Sequence, residues 1–513
     1  MESIQQTSPE PTVTVACLNC RDRHLKYDGN PEGCARCRTS SIFCHYVPSR
    51  RGRRGQPNDY LVIDTSCLSN LDDSELLTGS PLPLVVPSDV SPPYLADAPQ
   101  VTSSMGIHLI NAYYEYFHPA HPILSPLDIW TASSPPRFLI KIVEFIGSHY
   151  FSPGQIPKCP NDLWTATGAA APSLEKAQSY LLLGILLHAH KVPDGAKECI
   201  GLAIQCSLNI GLHCRDTSDA MEVQDRARAE CMRRTMWEIF VIDTLLAAVQ
   251  VGGTLQFNIG TPAIALPSEE MSFGDDSCKT ASIIADDLVQ RAFSGVDRIS
   301  SLAYRVEATL ILRQCVQACE SYASEDSIHV LDSLVSAWFH RWPSDKSAIL
   351  QMDGRVNQID FQAAMIMHSA SIYLHFSRSQ LISYLPTTRE VFCSRPPPTI
   401  TAPTSNPQMH AAKIINAAVE LSKLASLSTH VTEHSPFFAC ILVLSSIVQL
   451  TVISVRLGEQ PKKYYSYLAV NIGALQSMGN IWNIAASSTG NLQQVAREVG
   501  RTSTELSPFF GGL

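Results

Sequence analysis

The amino-acid sequence predicts a mostly α-helical protein, in which a small cysteine-rich module precedes a large all-helical body. Three observations carry that expectation. From about residue 106 apolar residues recur at helical spacing, while strand-like alternation is nearly absent. Five cysteines crowd into residues 17–44, and a proline-dense stretch separates them from the helical part. The chain is 513 residues long, 45% hydrophobic and only 17% charged, which is ample for a large core and allows two to four domains.

Residues 1–16 form a polar tail with neither a basic nor an apolar run, so no secretory signal is expected there. Cys17, Cys20, Cys34, Cys37 and Cys44 then follow as Cys-x2-Cys, thirteen residues, Cys-x2-Cys, six residues, Cys. Two such pairs this close point to zinc, because a short loop lets both thiolates of a pair reach one tetrahedral ion. A module spanning 17–47 is too short to hold a core without metal. Between the pairs lies the basic stretch Arg21-Asp22-Arg23-His24-Leu25-Lys26, a placement that suggests a metal-built DNA reader. Charge agrees with this. Residues 17–54 carry eight Arg and one Lys against three acids, a net of +6, so the rest of a chain of net −9 stands near −15. The other eleven cysteines are scattered, Cys199 and Cys206 at apolar helix positions, which reads as buried thiols in a reducing compartment.

Residues 48–105 read as a basic, Pro-rich linker. Arg50, Arg51, Arg53 and Arg54 abut the cysteine module and suit phosphate contact and nuclear import better than a merely solvated arm. Six prolines fall from Pro81 to Pro99. No heptads follow the module, so no coiled-coil stem is expected, although dimerisation by other means stays open. The run 68–77 (LSNLDDSELL) reads as disordered linker, with a short activation segment as the alternative.

In the body, Pro172-Ser173 starts a helix over 174–190. Ala196, Cys199, Ile200, Ala203 and Ile204 lie on one helical face, and Gly211 stops that helix. Phe361, Ala364, Met365, His368 and Ile372 line another. Further helices are expected over 226–250, 301–322, 328–341, 409–428, 437–457 and 464–485, with a loop from Pro396 to Pro407 and a C-terminal tail over 486–513. Residues 437–455 are uncharged and just long enough to span a bilayer. Gln449 and several hydroxyl residues dilute the run, and a buried core helix is the expectation, with no membrane partner.

Val15 to Tyr46 (VACLNCRDRHLKYDGNPEGCARCRTSSIFCHY) resembles the fungal binuclear zinc-cluster transcription factors. In that family six cysteines hold two zinc ions, the first and fourth bridging both. The resemblance implies that Cys17 and Cys34 bridge and that Cys37 and Cys44 complete one site. It also implies that the helix after Cys20 enters the major groove and reads CGG-like triplets of double-stranded DNA. By position Arg23, His24 and Lys26 are candidates for groove contact and Arg21 for a phosphate, with phosphate contact or solvation an equal alternative for each. The departure is Tyr27, which stands where the family has its third cysteine, with six residues between it and Cys20 and six between it and Cys34. That leaves the other site Cys17, Cys20 and Cys34. A phenol with an ordinary pKa near ~10 is a poor ligand unless the metal ionises it. Water, Asp28 or His24 could fill the position, and the expectation is a weakened first zinc.

The body also resembles the family's regulatory region, over 106–485. Its opening corresponds to Tyr116-Phe117-His118-Pro119-Ala120-His121-Pro122-Ile123-Leu124, and a second helix to Ala203-Ile204 through Gly211-Leu212-His213. The sharpest match is Glu230 … Arg233-Arg234-Thr235-Met236-Trp237 … Asp243, with Met236 in a tryptophan slot and Gly252-Gly253-Thr254 in place of Gly-Arg-Pro. These residues are expected to buttress packing and buried ion pairs. The function implied is a nuclear, RNA polymerase II type transcription regulator of a metabolic or secondary-metabolite gene cluster, working with the transcription machinery or co-regulators. The alternative is a degenerate-finger regulatory protein that no longer reads DNA by itself.

No catalytic residues are expected. His430-Val431-Thr432-Glu433-His434 fits an inverted zinc-peptidase pattern, but two β-branched residues lie inside it and Ser435-Pro436 follows at once, which favours a loop between helices. His118 and His121 each precede a proline and read as capping or packing residues.

Overall fold

In the computed structural model, the described residues are 15–17, 39, 46–48, 104–151, 154–250, 252–269, 283–288, 299–320, 323–342, 349–352, 354–384, 404–427, 430–455 and 461–502. The chain divides into two units, Met1–Ala96 and Asp97–Leu513. In the first, β1 (Val15–Cys17) and β2 (Tyr46–Pro48) pair antiparallel.

The second unit is helical. Its elements are α1 (Ser104–Ala112), α2 (Leu127–Ala132), α3 (Arg137–Phe151), α4 (Asn161–Ala169), α5 (Leu174–Ala189), α6 (Pro193–Asn209), α7 (Arg215–Gln224) and α8 (Arg226–Val249). They continue as α9 (Ser301–Glu320), α10 (Glu325–Arg341), α11 (Gln358–Phe376), α12 (Pro407–Ala425), α13 (Phe437–Val455), α14 (Pro461–Met478) and α15 (Asn483–Thr502).

The helix ends have local causes. Ser173 Oγ accepts the Lys176 N–H at 3.1 Å and opens α5, and an Asp225 carboxylate oxygen accepts the Arg228 N–H at 2.9 Å and opens α8. Gly211 takes φ +72° just past α6. There the Gly211 N–H reaches Leu208 O at 3.0 Å and the Leu212 N–H reaches Ser207 O at 2.9 Å, the paired bonds that close a helix through a left-handed residue. Gly147 on α3 admits the backbone of α1, since a methyl group there would overlap the Leu109 carbonyl oxygen.

α5 packs along α6, α9 along α11, and α11 along α12. α13 is long and apolar enough to cross a membrane, yet its most apolar window is 83% buried by its neighbours. It therefore serves as the core helix expected of it, contacted by α12, α14 and α15.

The C-terminal end differs from the expectation. The single helix over 464–485 is two helices, α14 and α15, separated at Gly479–Trp482, and the residues expected as a tail from 486 continue as helix to Thr502. Trp482 is fully buried and anchors the break. Along α15, Ala485, Leu492, Val495, Ala496 and Val499 turn inward, a stripe thinned by small and polar residues. α3 is likewise absent from the expected helices, although Leu139, Ile142, Val143 and Ile146 recur at helical spacing and are fully buried.

One buried charge cluster ties the body together. Glu238 on α8 and Arg305 on α9 form an ion pair with side chains 1% and 2% exposed. His121 Nδ1 lies 2.8 Å from the other carboxylate oxygen, and its Nε2 lies 3.1 Å from Ser435 Oγ just before α13. Arg305 also donates to Gln362 Oε1 on α11 at 3.0 Å, and Gln362 Nε2 donates to Ala120 O at 2.7 Å. Burial acts to raise the Glu238 carboxyl, but Arg305 and His121 outweigh it and hold the group below the ordinary carboxylate value.

Breaking a buried pair by removing one partner strands the other charge, at a cost of roughly 3–5 kcal/mol. Arg305→Met keeps much of the side-chain volume and removes the cation. We expect a loss of about that size in chemical unfolding followed by helical circular dichroism. A cost below about 1 kcal/mol, the range of an exposed pair, would contradict the assignment.

Candidate metal centre and regulatory-domain signature

The cysteine segment is closed at its base by the β1–β2 pair. The register sets Ala16 opposite Val47 and Cys17 opposite Tyr46, so the chain meets its own start two residues after Cys44. The closure fits a segment whose thiolates converge on metal, and a donor set of five cysteines is chemically matched to zinc. Of the expected ligands, the backbone of Cys17 is described. Cys20, Cys34, Cys37, Cys44 and Tyr27 lie outside the described residues. So do the candidate DNA contacts Arg21, Arg23, His24, Lys26, Arg50, Arg51, Arg53 and Arg54, and the linker run 68–77.

In the helical body, the expected signature residues come together around α8. Glu230 lies 2.9 Å from both Arg233 and Arg234, and Arg233 also reaches Glu222 at 2.5 Å. Glu230 further accepts the Ser268 N–H at 3.0 Å, while Arg234 donates to Ser268 O at 3.0 Å. The acid and the arginine thereby clamp the returning 254–268 segment onto α8. Trp237 Nε1 donates to Ala265 O at 2.9 Å, fastening the same segment one turn on. Asp243 accepts the N–H groups of Gln256 and Phe257 at 3.0 and 3.1 Å and pairs with Arg313 at 3.3 Å. Met236, in the tryptophan slot, is fully buried. Every polar member of the signature is thus spent on holding backbone or a partner charge.

His118 and His121 are packing residues too. His118 Nε2 bonds to Leu124 O at 3.0 Å, and His121 belongs to the Glu238 cluster. The His430–His434 pattern sits on a single 3-10 turn, Val431–Glu433, between helices. His434 stacks on Phe361 with ring centroids 3.9 Å apart, its Nδ1 lies 2.8 Å from Gln358 Oε1, and burial pushes its pKa down to about 3. Among the described residues no group of three or more His, Cys, Asp or Glu is placed to hold a metal ion. The described cysteines outside the module are free thiols, Cys199 and Cys206 among the buried ones.

Sequence reasoning missed Arg305, Gln362 and the central role of Glu238. Glu238 adjoins the signature tryptophan, but its partners lie 67 and 117 residues away and no local spacing links them.

Comparison with known proteins fits this arrangement. Residues 15–54 match the Fungal Zn(2)-Cys(6) binuclear cluster domain. Residues 110–252, which contain the opening segment, α8 and its clamps, match the Fungal specific transcription factor domain. The chain is 27% identical to the C6 finger domain transcription factor iacK of Pestalotiopsis fici, over 96% of this chain and 81% of that protein. Over an alignment 75 positions long, which covers 12% of this chain and 18% of the relative, the chain is 36% identical to Transcription factor rglT of Aspergillus fumigatus. No solved structure matches. The binuclear cluster domain implies zinc and DNA as cofactor and partner, and such factors are generally nuclear. With both domain matches in order on one chain and a relative similar along nearly all of it, the chain carries the two domains of the fungal zinc-cluster transcription factors and resembles them throughout, which supports a DNA-binding regulator of transcription with a helical regulatory body.

Proposed function

We propose that this regulator acts in the nucleus, reads CGG-like elements through the helix after Cys20, and controls a metabolic or secondary-metabolite gene cluster. The observation that carries the reading is the cysteine spacing with the basic run Arg21 to Lys26 set inside it. Cys17 and Cys34 bridge two zinc ions in this reading, Cys37 and Cys44 complete one site, and Cys20 belongs to the other. Zinc supplies the folding free energy of the module. The chain's own part is to present Arg23, His24 and Lys26 to base edges and Arg21, with Arg50, Arg51, Arg53 and Arg54, to phosphates. The helical body receives regulatory input and meets co-regulators. The scaffolding role of its signature residues supports a binding reading over a catalytic one.

Tyr27 favours a second reading, in which the incomplete first site leaves the body as a regulatory subunit that reads no DNA by itself. A tetrahedral structural site with three cysteines holds its ion more weakly than one with four. Native mass spectrometry of the full chain during chelator titration is expected to show two zinc ions, one leaving well before the other. In Tyr27→Cys both should leave together. Equal chelator resistance in the two proteins would contradict the assignment of Tyr27 to a ligand slot. A single zinc in the untreated chain would move the second reading ahead.

Lys26→Ala tests the groove contact. Zinc content is expected to stay the same while affinity for a CGG duplex falls by about 1–3 kcal/mol. Unchanged affinity would remove Lys26 from the interface.

A further inference from the structure

α10, α11 and α12 line an open cavity of about 860 Å³, within the roughly 300–1,000 Å³ range of pockets that bury small organic ligands. Its lining includes His368 and Ser371, one helical turn apart on α11. Hydroxyls elsewhere on these helices bond back to the preceding turn, as Ser369 does to Met365 O at 2.7 Å and Ser336 to Asp332 O at 2.9 Å. Ser371 does not. It is 8% exposed, and among the described residues neither its hydroxyl nor the His368 ring has a hydrogen-bond partner. Neither residue is among those whose unpartnered polar atoms are sealed from solvent, so these groups are open to the space they line, where such groups are the usual orienting points of a ligand site.

The remaining lining fixes the chemistry. Val335, Phe339, Trp342, Leu424 and Leu427 line the cavity, so its walls offer aliphatic and aromatic surface beside the polar residues Ser336, His340 and Asn416. The His368 ring leans on Phe339 with centroids 4.7 Å apart. The lining charges cancel in pairs, Lys413 with Asp332 and Lys423 with Glu420. A charged guest would therefore find no unmatched counter-ion. Burial pushes His368 down to about 4, so at neutral pH the ring offers one donor and one acceptor.

We propose that this cavity binds an uncharged aromatic molecule carrying a hydroxyl or carbonyl oxygen, with its ring against Phe339 and Trp342 and its oxygen held by His368 and Ser371. The site goes beyond DNA reading. A guest there would bridge three helices of the regulatory body and give a small molecule a handle on the regulator.

The test is fluorescence titration of the full chain with naphthol, an uncharged phenol, in the absence of DNA. One saturable site is expected. Methylnaphthalene, which lacks the oxygen, and anionic naphthoate should each bind about tenfold more weakly, the size of one good hydrogen bond. His368→Phe should bring naphthol down to the methylnaphthalene level. Ala412 is exposed at the cavity's edge, so Ala412→Trp can fold normally while blocking it and should abolish binding. Absence of saturable binding, or equal binding by the wild type and Ala412→Trp, would overturn the proposal. So would equal affinity for naphthol and methylnaphthalene. Because no DNA is present, such a failure leaves the DNA-reading assignment untouched.

Discussion

The helical body turns on a carboxylate taken out of water. Glu238 is almost completely buried on α8, and an isolated carboxylate in that position would neutralise rather than stay charged. It stays charged because Arg305 and His121 converge on it. These partners come from α9 and from the turn after α1, and the cluster extends through Gln362 to α11 and through Ser435 to the start of α13. Four separate parts of the chain must be in register with α8 for a single charge to be satisfied. Apolar packing tolerates small slips of one helix on another, whereas a buried ion pair with directional hydrogen bonds does not. The Glu230–Arg234 pair and Asp243 repeat the device on the same helix, each holding the segment that returns past α8. α8 thereby acts as the spine against which the other elements are set.

How much of this was legible in the sequence follows from where the information lies. Ser173 and Gly211 act within a turn of themselves, so they marked the start of α5 and the end of α6. The uncharged run 437–455 could be read as core because length and composition are local properties, and its neighbours bury it. α15 escaped because its inward stripe relies on Ala485 and Ala496 as much as on Leu492 and Val495, and the polar residues between them dilute the pattern. The link from Glu238 to Arg305 could not be read at all, since nothing in the spacing of two residues 67 apart says that they meet. The pairing of Glu230 with Arg233 and Arg234 could be anticipated, because i, i+3 and i, i+4 positions share a helix face.

The amino-terminal module obeys a different constraint. Too short for a hydrophobic core, it depends on metal for its fold, and its candidate ligands are legible from cysteine spacing alone. The β1–β2 register adds that the segment is closed on itself directly after its last cysteine. Tyr27 is the place where local rule and family pattern disagree. In the proposed ligand assignment, a phenol in a thiolate's position would weaken one metal site and leave the four thiolates of the other intact. The cavity among α10, α11 and α12 belongs to neither logic. Its polar floor was invisible as a site because His368 falls on an apolar helical stripe, where it reads as a core residue.

In the proposed function, a metal-built module with a tyrosine in one ligand slot still reads DNA. The most direct test is the affinity of the full, zinc-loaded chain for a CGG-containing duplex and for its scrambled counterpart, across a series of salt concentrations. A preference for the CGG duplex of about 1,000-fold or more is expected. Affinity should also fall steeply as salt rises, as phosphate contacts require. Equal affinity for the two duplexes, unchanged by removal of zinc, would contradict that reading.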